Sequence, residues 1–566
     1  MSRYVIGLDF GTNSCRSLIV DTADGKELAS HVFAYPTGKD GVIVDAKDPN
    51  LARQNPADYL AGIEITVTGA VKKAKEAEPD FNTADVIGIG VDTTGSSPMP
   101  LDEKGNALCF NPEFKNDPAA YVWLWKDHTG YAEAALITET AANIRPEYLA
   151  KIGGVYSSEW WWSKILHCKN TSPLVYNAAF SWAEICDWIP ANLTGEPDPL
   201  KMKRGICSAG HKAMYNSNWN GLPDEEFLET LSPGLGPLRK RLYERTFTSE
   251  NIAGFLSPSW AAKLGLTTNV VIAVGAFDAH MGAVGAGIST GTLVKILGTS
   301  TCDIMISPHN EKLNDIPGVC GIVDGSVMNG YYGIEAGQSA VGDIFLWFVN
   351  NLVPESYGKN QDEKFENLEA EASKLKPGES GLLALDWNNG NRTILVDARL
   401  CGMLLGQTLH TKPHEIYRAL IEATAFGALA IIDRIEEYGV LIKEVVNCGG
   451  LASRNPLLMQ IYADITGRPM KISRSDQTPA LGAAIFGAAA AGKKAGGFDS
   501  VDDALKVMTG ISKSYIPIPE NHSTYKKLYL LYKQLHDGFG TKIWNGSMLN
   551  VMKDLLNIRD EVRRGE

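Results

Sequence analysis

The chain reads as an α/β protein on three observations. Its start carries apolar runs separated by tight turns, a buried strand ending in an acid follows a long helix, and a second strand-turn-strand unit near the middle echoes the first. Residues 4–21, YVIGLDFGTNSCRSLIVD, hold two apolar runs around Gly11-Thr12-Asn13-Ser14, and the next strand pair turns near Asp24-Gly25, so the chain opens as a β-meander. A helix is predicted from Pro56 to about Glu76, then a strand over residues 86–92, VIGIGVD. Residues 121–247 read as mostly helical and Trp-rich, with irregular links at 196–203 and 215–223. From Asn269, NVVIAVGAFDAHMGAVGAG reads as a strand running into a small-residue helix, and residues 293–307 as a hairpin.

A chain of 566 residues with 44% hydrophobic and 21% charged residues is too long for one core, which predicts two large domains and a cleft between them. The break is expected near Gly287, giving domains over 1–287 and 288–566 with a helical tail from about 524. The net charge of -13 argues against nucleic-acid partners, since phosphate backbones recruit a Lys and Arg surplus. Nine cysteines without a CxxC pair fit neither a disulfide framework nor a zinc site, so a reducing cytoplasm is expected. No signal-peptide apolar region opens the sequence, and the small-residue stretch 480–492 is too short to span a bilayer, so no membrane partner is expected.

The internal echo points to chemistry. Gly298-Thr299-Ser300 sits between apolar strands as Gly11-Thr12-Asn13-Ser14 does. Hairpin tips of this composition aim backbone N–H groups and hydroxyls at an anion, and two of them across a cleft would grip a polyphosphate; each alone is equally a plain tight turn. Near the C-terminus, a buried strand leads through Gly449-Gly450 to a helix starting at Asn455-Pro456. Paired glycines there admit a planar ring or ribose, making an adenosine-site candidate, or they serve only strand-to-helix packing.

Eight segments occur in one order: DFGTNS (9–14), VDTTGSS (91–97), LWKDHT (124–129), GAFDAHMGAVGAG (275–287), LGTSTCD (297–303), GIEAGQS (333–339), RLCGMLLGQTL with IYRALIEATAFGA (399–428), and NCGGLASRNPLLMQ (447–460). Together they resemble the FGGY carbohydrate kinases, and SAGHKAMY, SSEWWWSKILH and CGMLLG look like the L-ribulokinase members. The resemblance covers residue 6 to about 492 and implies two actin-like, ribonuclease H-like ATPase domains around a central cleft, with the sugar mostly on the N-terminal domain and ATP on the C-terminal one. It implies ATP and Mg²⁺ as cofactors and phosphorylation of L-ribulose to L-ribulose 5-phosphate in L-arabinose catabolism. The alternatives are D-ribulose, xylulose or ribitol as substrate, or a non-catalytic nucleotide-switched binding protein, and a homodimer stays open as the assembly state. Residues 160–164 fit the family's first signature only loosely, which leaves Lys164 without a role.

Through the resemblance Asp278 matches the catalytic base, a carboxylate that orients the attacking hydroxyl and accepts its proton; alone it would read as a helix cap. Asp9, with Asp278, matches the Mg²⁺ position, although a turn-stabilising Asp is the alternative. Gly11, Thr12, Asn13, Gly298, Thr299 and Ser300 fit phosphate contacts, Gly449, Gly450 and Asn455 adenosine, and Arg16 either phosphate or a strand surface. Gly95, Lys212, Asp278 and Glu335 match sugar contacts, with Asp92, Lys126 and Asp127 as weaker candidates in the same pocket. Trp160, Trp161 and Trp162 point in different directions and read mostly as packing. His128, His211 and His280 show no metal-ligand spacing and read as hydrogen-bonding neighbours of the site.

Overall fold

The computed structural model describes residues 3–310, 313–542 and 544–564. The opening meander forms as β1 (Tyr4–Phe10), β2 (Ser14–Asp21) and β3 (Glu27–Ala34), with β4 (Val86–Thr93) parallel to β1. β5 (Ile252–Phe255), β6 (Val271–Ala273) and the short β7 (Ala276–Phe277) complete this sheet, in the order β5-β6-β4-β1-β2-β3 with β7 also on β4. The long helix α1 (Pro56–Ala77) begins where Asn55 caps it and Pro56 supplies a preset φ, and its apolar stripe covers β2 and β3.

The second half rebuilds the same pattern. β8 (Thr292–Leu297) and β9 (Thr301–Pro308) make the second hairpin, β10 (Gly321–Asp324) and β11 (Tyr331–Ala336) extend it, and β12 (Glu444–Cys448) lies parallel to β8. With β13 (Met470–Ser473) and β14 (Ile511–Tyr515) the order is β10-β11-β9-β8-β12-β13-β14. Each sheet thus has an antiparallel hairpin whose first strand runs beside a parallel strand. In each, the hairpin tip and the end of the parallel neighbour point the same way.

Two helices lock the halves. α2 (Asp278–Gly285) follows β7 directly, and α3 (Thr478–Ala491), the alanine and glycine stretch, lies across both α2 and the first sheet. Glycine is required along this seam. A Cβ on Gly7 would come within 1.7 Å of the Ala480 carbonyl oxygen, one on Gly90 within 1.8 Å of that of Ala483, and one on Gly482 within 1.8 Å of that of Met281. A side chain at any of these points would push helix and sheet apart along their whole contact. The C-terminal helices Pro519–Gly540 and Val551–Arg564 close the second core, where Tyr525 shares the buried Arg418–Glu422 pair and Tyr532 donates to Asp386. No helix among the described residues is long and apolar enough to cross a membrane.

Gly90→Val should lower the thermal unfolding midpoint, since overpacking of this kind costs on the order of 1–3 kcal/mol. An unchanged midpoint in a thermal melt would contradict the close approach of α3 to β4.

Candidate active site

Three carboxylates gather because three neighbouring parallel strands end together. Asp9 on β1 is in register with Asp92 on β4, Ala276 of β7 pairs with Asp92, and Asp278 follows β7 as the first residue of α2. Burial pushes all three carboxyls up: Asp278 to about 7, with Asp9 adding to the effect, and Asp92 well above the carboxylate range with help from Asp9 and Asp278. Asp92 has no hydrogen-bond partner beyond the neighbouring Asp9 carboxyl. The cation facing Asp9 is Arg16, opposite it across the hairpin, and its charge opposes the upward shifts of Asp9 and Asp92.

The next group crosses between the halves. Lys212, at the end of the short helix Ile206–Lys212, places its Nζ 2.8 and 3.0 Å from the two carboxylate oxygens of Glu335 on β11. Both side chains are buried. Burial would push Glu335 up, but the Lys212 ammonium outweighs it and holds the acid well below the usual carboxylate range. Burial lowers Lys212 while Glu335 raises it, and the net shift is upward, so both partners stay charged. The Trp160 ring lies 5.2 Å from Lys212 Nζ, a cation-π contact that fixes the ammonium from its other side. Trp161 and Trp162 are core residues.

Both hairpin tips have their carbonyls held in hydrogen bonds. In the first, Gly11 N–H donates to the Ser14 carbonyl, Gln54 donates to the Thr12 carbonyl, and Trp125 Nε1 donates to Thr12 Oγ1 at 3.0 Å. Asn13 is exposed at the tip and donates to the Asp40 carbonyl. In the second, Gly298 N–H donates to the Ser300 carbonyl, while the carbonyls of Gly298 and Thr299 accept from Val341, Gly342 and Asp343 at the start of helix Gly342–Asn351. Gly298 and Thr299 are exposed, and Ser300 is half-buried. The carbonyls are tied back and the Thr299 and Ser300 N–H groups remain free to meet an anion.

The other sequence candidates have packing or hydrogen-bond partners of their own. Asp127 is fully buried, ion-paired to Arg53, and accepts from the amides of Ala52 and Thr129, which commits its oxygens to the fold. Lys126 is half-buried beside it. Gly95 is needed for packing: a Cβ there would meet the Phe277 ring at 1.8 Å, next to Asp278. Asn455 caps the helix Pro456–Thr466 by accepting from Leu458 N–H and also donates to the Tyr417 hydroxyl. Gly449 has φ 94°, and a Cβ on it would come within 2.4 Å of the Leu297 carbonyl at the base of the second tip.

Several site neighbours gave no linear signal. Glu184 accepts from Ser97 N–H at 2.6 Å and from the Ser96 hydroxyl, and burial pushes its carboxyl up to about 7. Lys164, which the sequence left without a role, donates 2.7 Å bonds to the carbonyls of Ser96 and Leu124, and burial pulls it down to about 7. Together they brace the 94–97 loop beside Gly95. The absence of a metal-type histidine pattern also needs correction in three dimensions: His211, His280 and Glu335 bring ligand atoms within 4.8 Å of one another. Sequence spacing missed them because Glu335 comes from the other half of the chain.

Hard oxygen donors suit Mg²⁺, and a divalent cation beside these acids would favour the ionised carboxylates that burial otherwise opposes. Asp9, Asp92 and Asp278 therefore fit the metal implied by the resemblance.

Family models for the N-terminal and C-terminal domains of the FGGY family of carbohydrate kinases match residues 4–285 and 293–491. A ribulokinase of Halalkalibacterium halodurans is 43% identical over 554 residues, covering 95% of both chains, and one of Geobacillus thermodenitrificans is 43% identical over 550 residues, again 95% of each. Among solved structures, a gluconate kinase from Lactobacillus acidophilus superposes with TM-score 0.76 at 18% identity over 96% of this chain and 99% of that one. A xylulose kinase from the same organism superposes with TM-score 0.76 at 19% identity over 95% and 99%. The shared fold is the two-domain actin-like ATPase fold, and with both family domains matched in order along it, the chain belongs to the FGGY family of carbohydrate kinases.

Proposed function

We infer that this carbohydrate kinase transfers the γ-phosphoryl group of ATP to the terminal 5-hydroxyl of L-ribulose, giving L-ribulose 5-phosphate for L-arabinose breakdown in the cytoplasm. The single observation that carries the reading is the Asp278 carboxyl beside a charged Lys212–Glu335 pair that spans the two halves. Relatives that bear the name ribulokinase, matched along nearly their whole length, support ribulose over other sugars.

The side chains divide the work. Glu335 accepts from sugar hydroxyls and Lys212 donates to a carbonyl or hydroxyl oxygen, so the polyol is held by opposite hydrogen-bonding demands and its stereochemistry is read. Asp278 takes the proton of the attacking hydroxyl as the phosphoryl group is transferred. The amides at the Thr12 and Thr299 tips hold the phosphates, and the Gly449-Gly450 turn receives the nucleoside. Asp9 and Asp278, with Asp92 behind them, would hold Mg²⁺, which supplies charge neutralisation for the transferring group. Closure of the halves excludes water, which would otherwise compete as acceptor.

The substrate assignment is tested by ADP release across pentuloses and polyols, with L-ribulose expected to give the highest kcat/KM. A clear preference for xylulose or ribitol would overturn it. Asp278→Asn should lower kcat by about 10²–10⁴-fold while ADP binding by calorimetry persists; full sugar-dependent turnover would remove Asp278 from the base role. Because burial raises the Asp278 carboxyl of the free protein to about 7, the base is protonated at lower pH, so log kcat/KM should fall with unit slope below that value and level off above it. A profile flat from pH 5.5 to 8 contradicts this assignment. Lys212→Ala strands a buried carboxylate and should raise the sugar KM by about 100-fold or more with the ATP KM little changed. Equal loss for both substrates would place Lys212 outside the sugar site.

A further inference from the structure

His211 and His280 are not used by the reaction as described, yet both face Glu335, the acid assigned above to the sugar. His211 Nδ1 is 3.4 Å from Glu335 Oε2, and His280 Nε2 is 3.9 Å from the same oxygen. The rings stand 4.5 Å apart between centroids. His211 is 0% and His280 2% exposed, and neither His211 Nδ1 nor either nitrogen of His280 has a hydrogen-bond partner.

His211 Nε2 shares a 2.9 Å hydrogen bond with the Ser326 hydroxyl, which leaves Nδ1 as the ring nitrogen turned toward Glu335. Strand β10 packs against the His211 imidazole, since a Cβ on Gly321 would lie 2.1 Å from His211 Nδ1. One ring nitrogen each from His211 and His280 and a carboxylate oxygen of Glu335, all within 4.8 Å of one another, make up a set of cation ligands.

We propose that His211, His280 and Glu335 form a transition-metal site, and that a zinc-class ion bound there excludes the sugar. Two nitrogens and one oxygen suit Zn²⁺ or Co²⁺ with an open fourth position, whereas Mg²⁺ prefers all-oxygen surroundings, so this site is separate from the Asp9 and Asp278 position. Small rotations suffice to bring the three donors to the ~2.0–2.2 Å such ions require. Lys212 bridges both Glu335 oxygens, so an entering metal takes Oε2 and leaves the ammonium on Oε1. The carboxylate is then no longer available to sugar hydroxyls. That competition rests on the assignment of Glu335 to the sugar; metal binding itself does not.

The test is a Co²⁺ titration of the full chain, freed of metal with a chelator and without ATP, followed by the visible absorption of low-symmetry cobalt. The wild type should develop intense bands that Zn²⁺ abolishes, and His280→Ala and His211→Gln should lose them while still binding ADP. If His280→Ala fails to fold, His280→Gln takes its place. Absence of bands in the wild type, or bands unchanged in both variants, would overturn the site. Added L-ribulose should weaken Co²⁺ binding at least tenfold, and Zn²⁺ should inhibit turnover competitively with sugar. Bands that L-ribulose leaves unmoved would overturn the competition and with it the placing of sugar on Glu335, while a substrate panel favouring another sugar would fault only the functional reading.

Discussion

The buried ion pair between Lys212 and Glu335 is the constraint around which this molecule is arranged. Neither charge can be left alone: removing one partner of a pair buried this deeply costs about 3–5 kcal/mol. Each partner comes from a different half, one from a short helix after a Trp-rich region and the other from a strand of the second sheet. The pair therefore ties the halves at the point proposed for sugar recognition. Polar groups that must be satisfied by each other in the empty pocket can exchange those bonds for sugar hydroxyls, so the recognition site is kept charged and oriented in advance.

The repeated sheet supplies the rest of the geometry. In both halves a hairpin tip stands beside the end of a parallel strand, which is where a βα connection leaves backbone N–H groups free. In the first half that strand end carries Asp92, with Asp9 and Asp278 on its flanks; in the second it carries Asn447 and the glycine turn. One half is thereby acidic and suited to a cation and a base, and the other is built for close backbone approach. The glycine seam under α3 holds the two in register, because the helix can touch the sheet only where side chains are missing.

Much of this was legible in the sequence because it depends on local pattern. The two tips, the buried strand ending in Asp92, the helix beginning at Pro56 and the one beginning at Asp278 follow from periodicity and turn residues, and they appear within a residue or two of where the pattern puts them. What was not legible is what long-range packing decides. Asp127 looks like any polar residue near a pocket until Arg53, distant in sequence, is seen to hold it. Gly95 invites a ligand, yet the atoms nearest its missing Cβ belong to Phe277. Asn455 reads as an adenosine contact, and its side chain is engaged as a helix cap. His211 and His280 look unrelated at their spacing, and Glu335 joins them from another sheet. Lys164 and Glu184 have meaning only through the loop they brace.

The central claim is that a sugar held between Lys212 and Glu335 presents its terminal hydroxyl to Asp278 while a nucleotide lies along the two tips. A crystal structure with L-ribulose and a non-hydrolysable ATP analogue tests it most directly. The account predicts the Asp278 carboxylate within hydrogen-bond distance of the sugar's terminal oxygen, with the γ-phosphate on the opposite side of that oxygen and in contact with the Thr12 and Thr299 amides. A sugar seated away from Glu335, or an Asp278 carboxylate turned from the hydroxyl toward the protein interior, would contradict it.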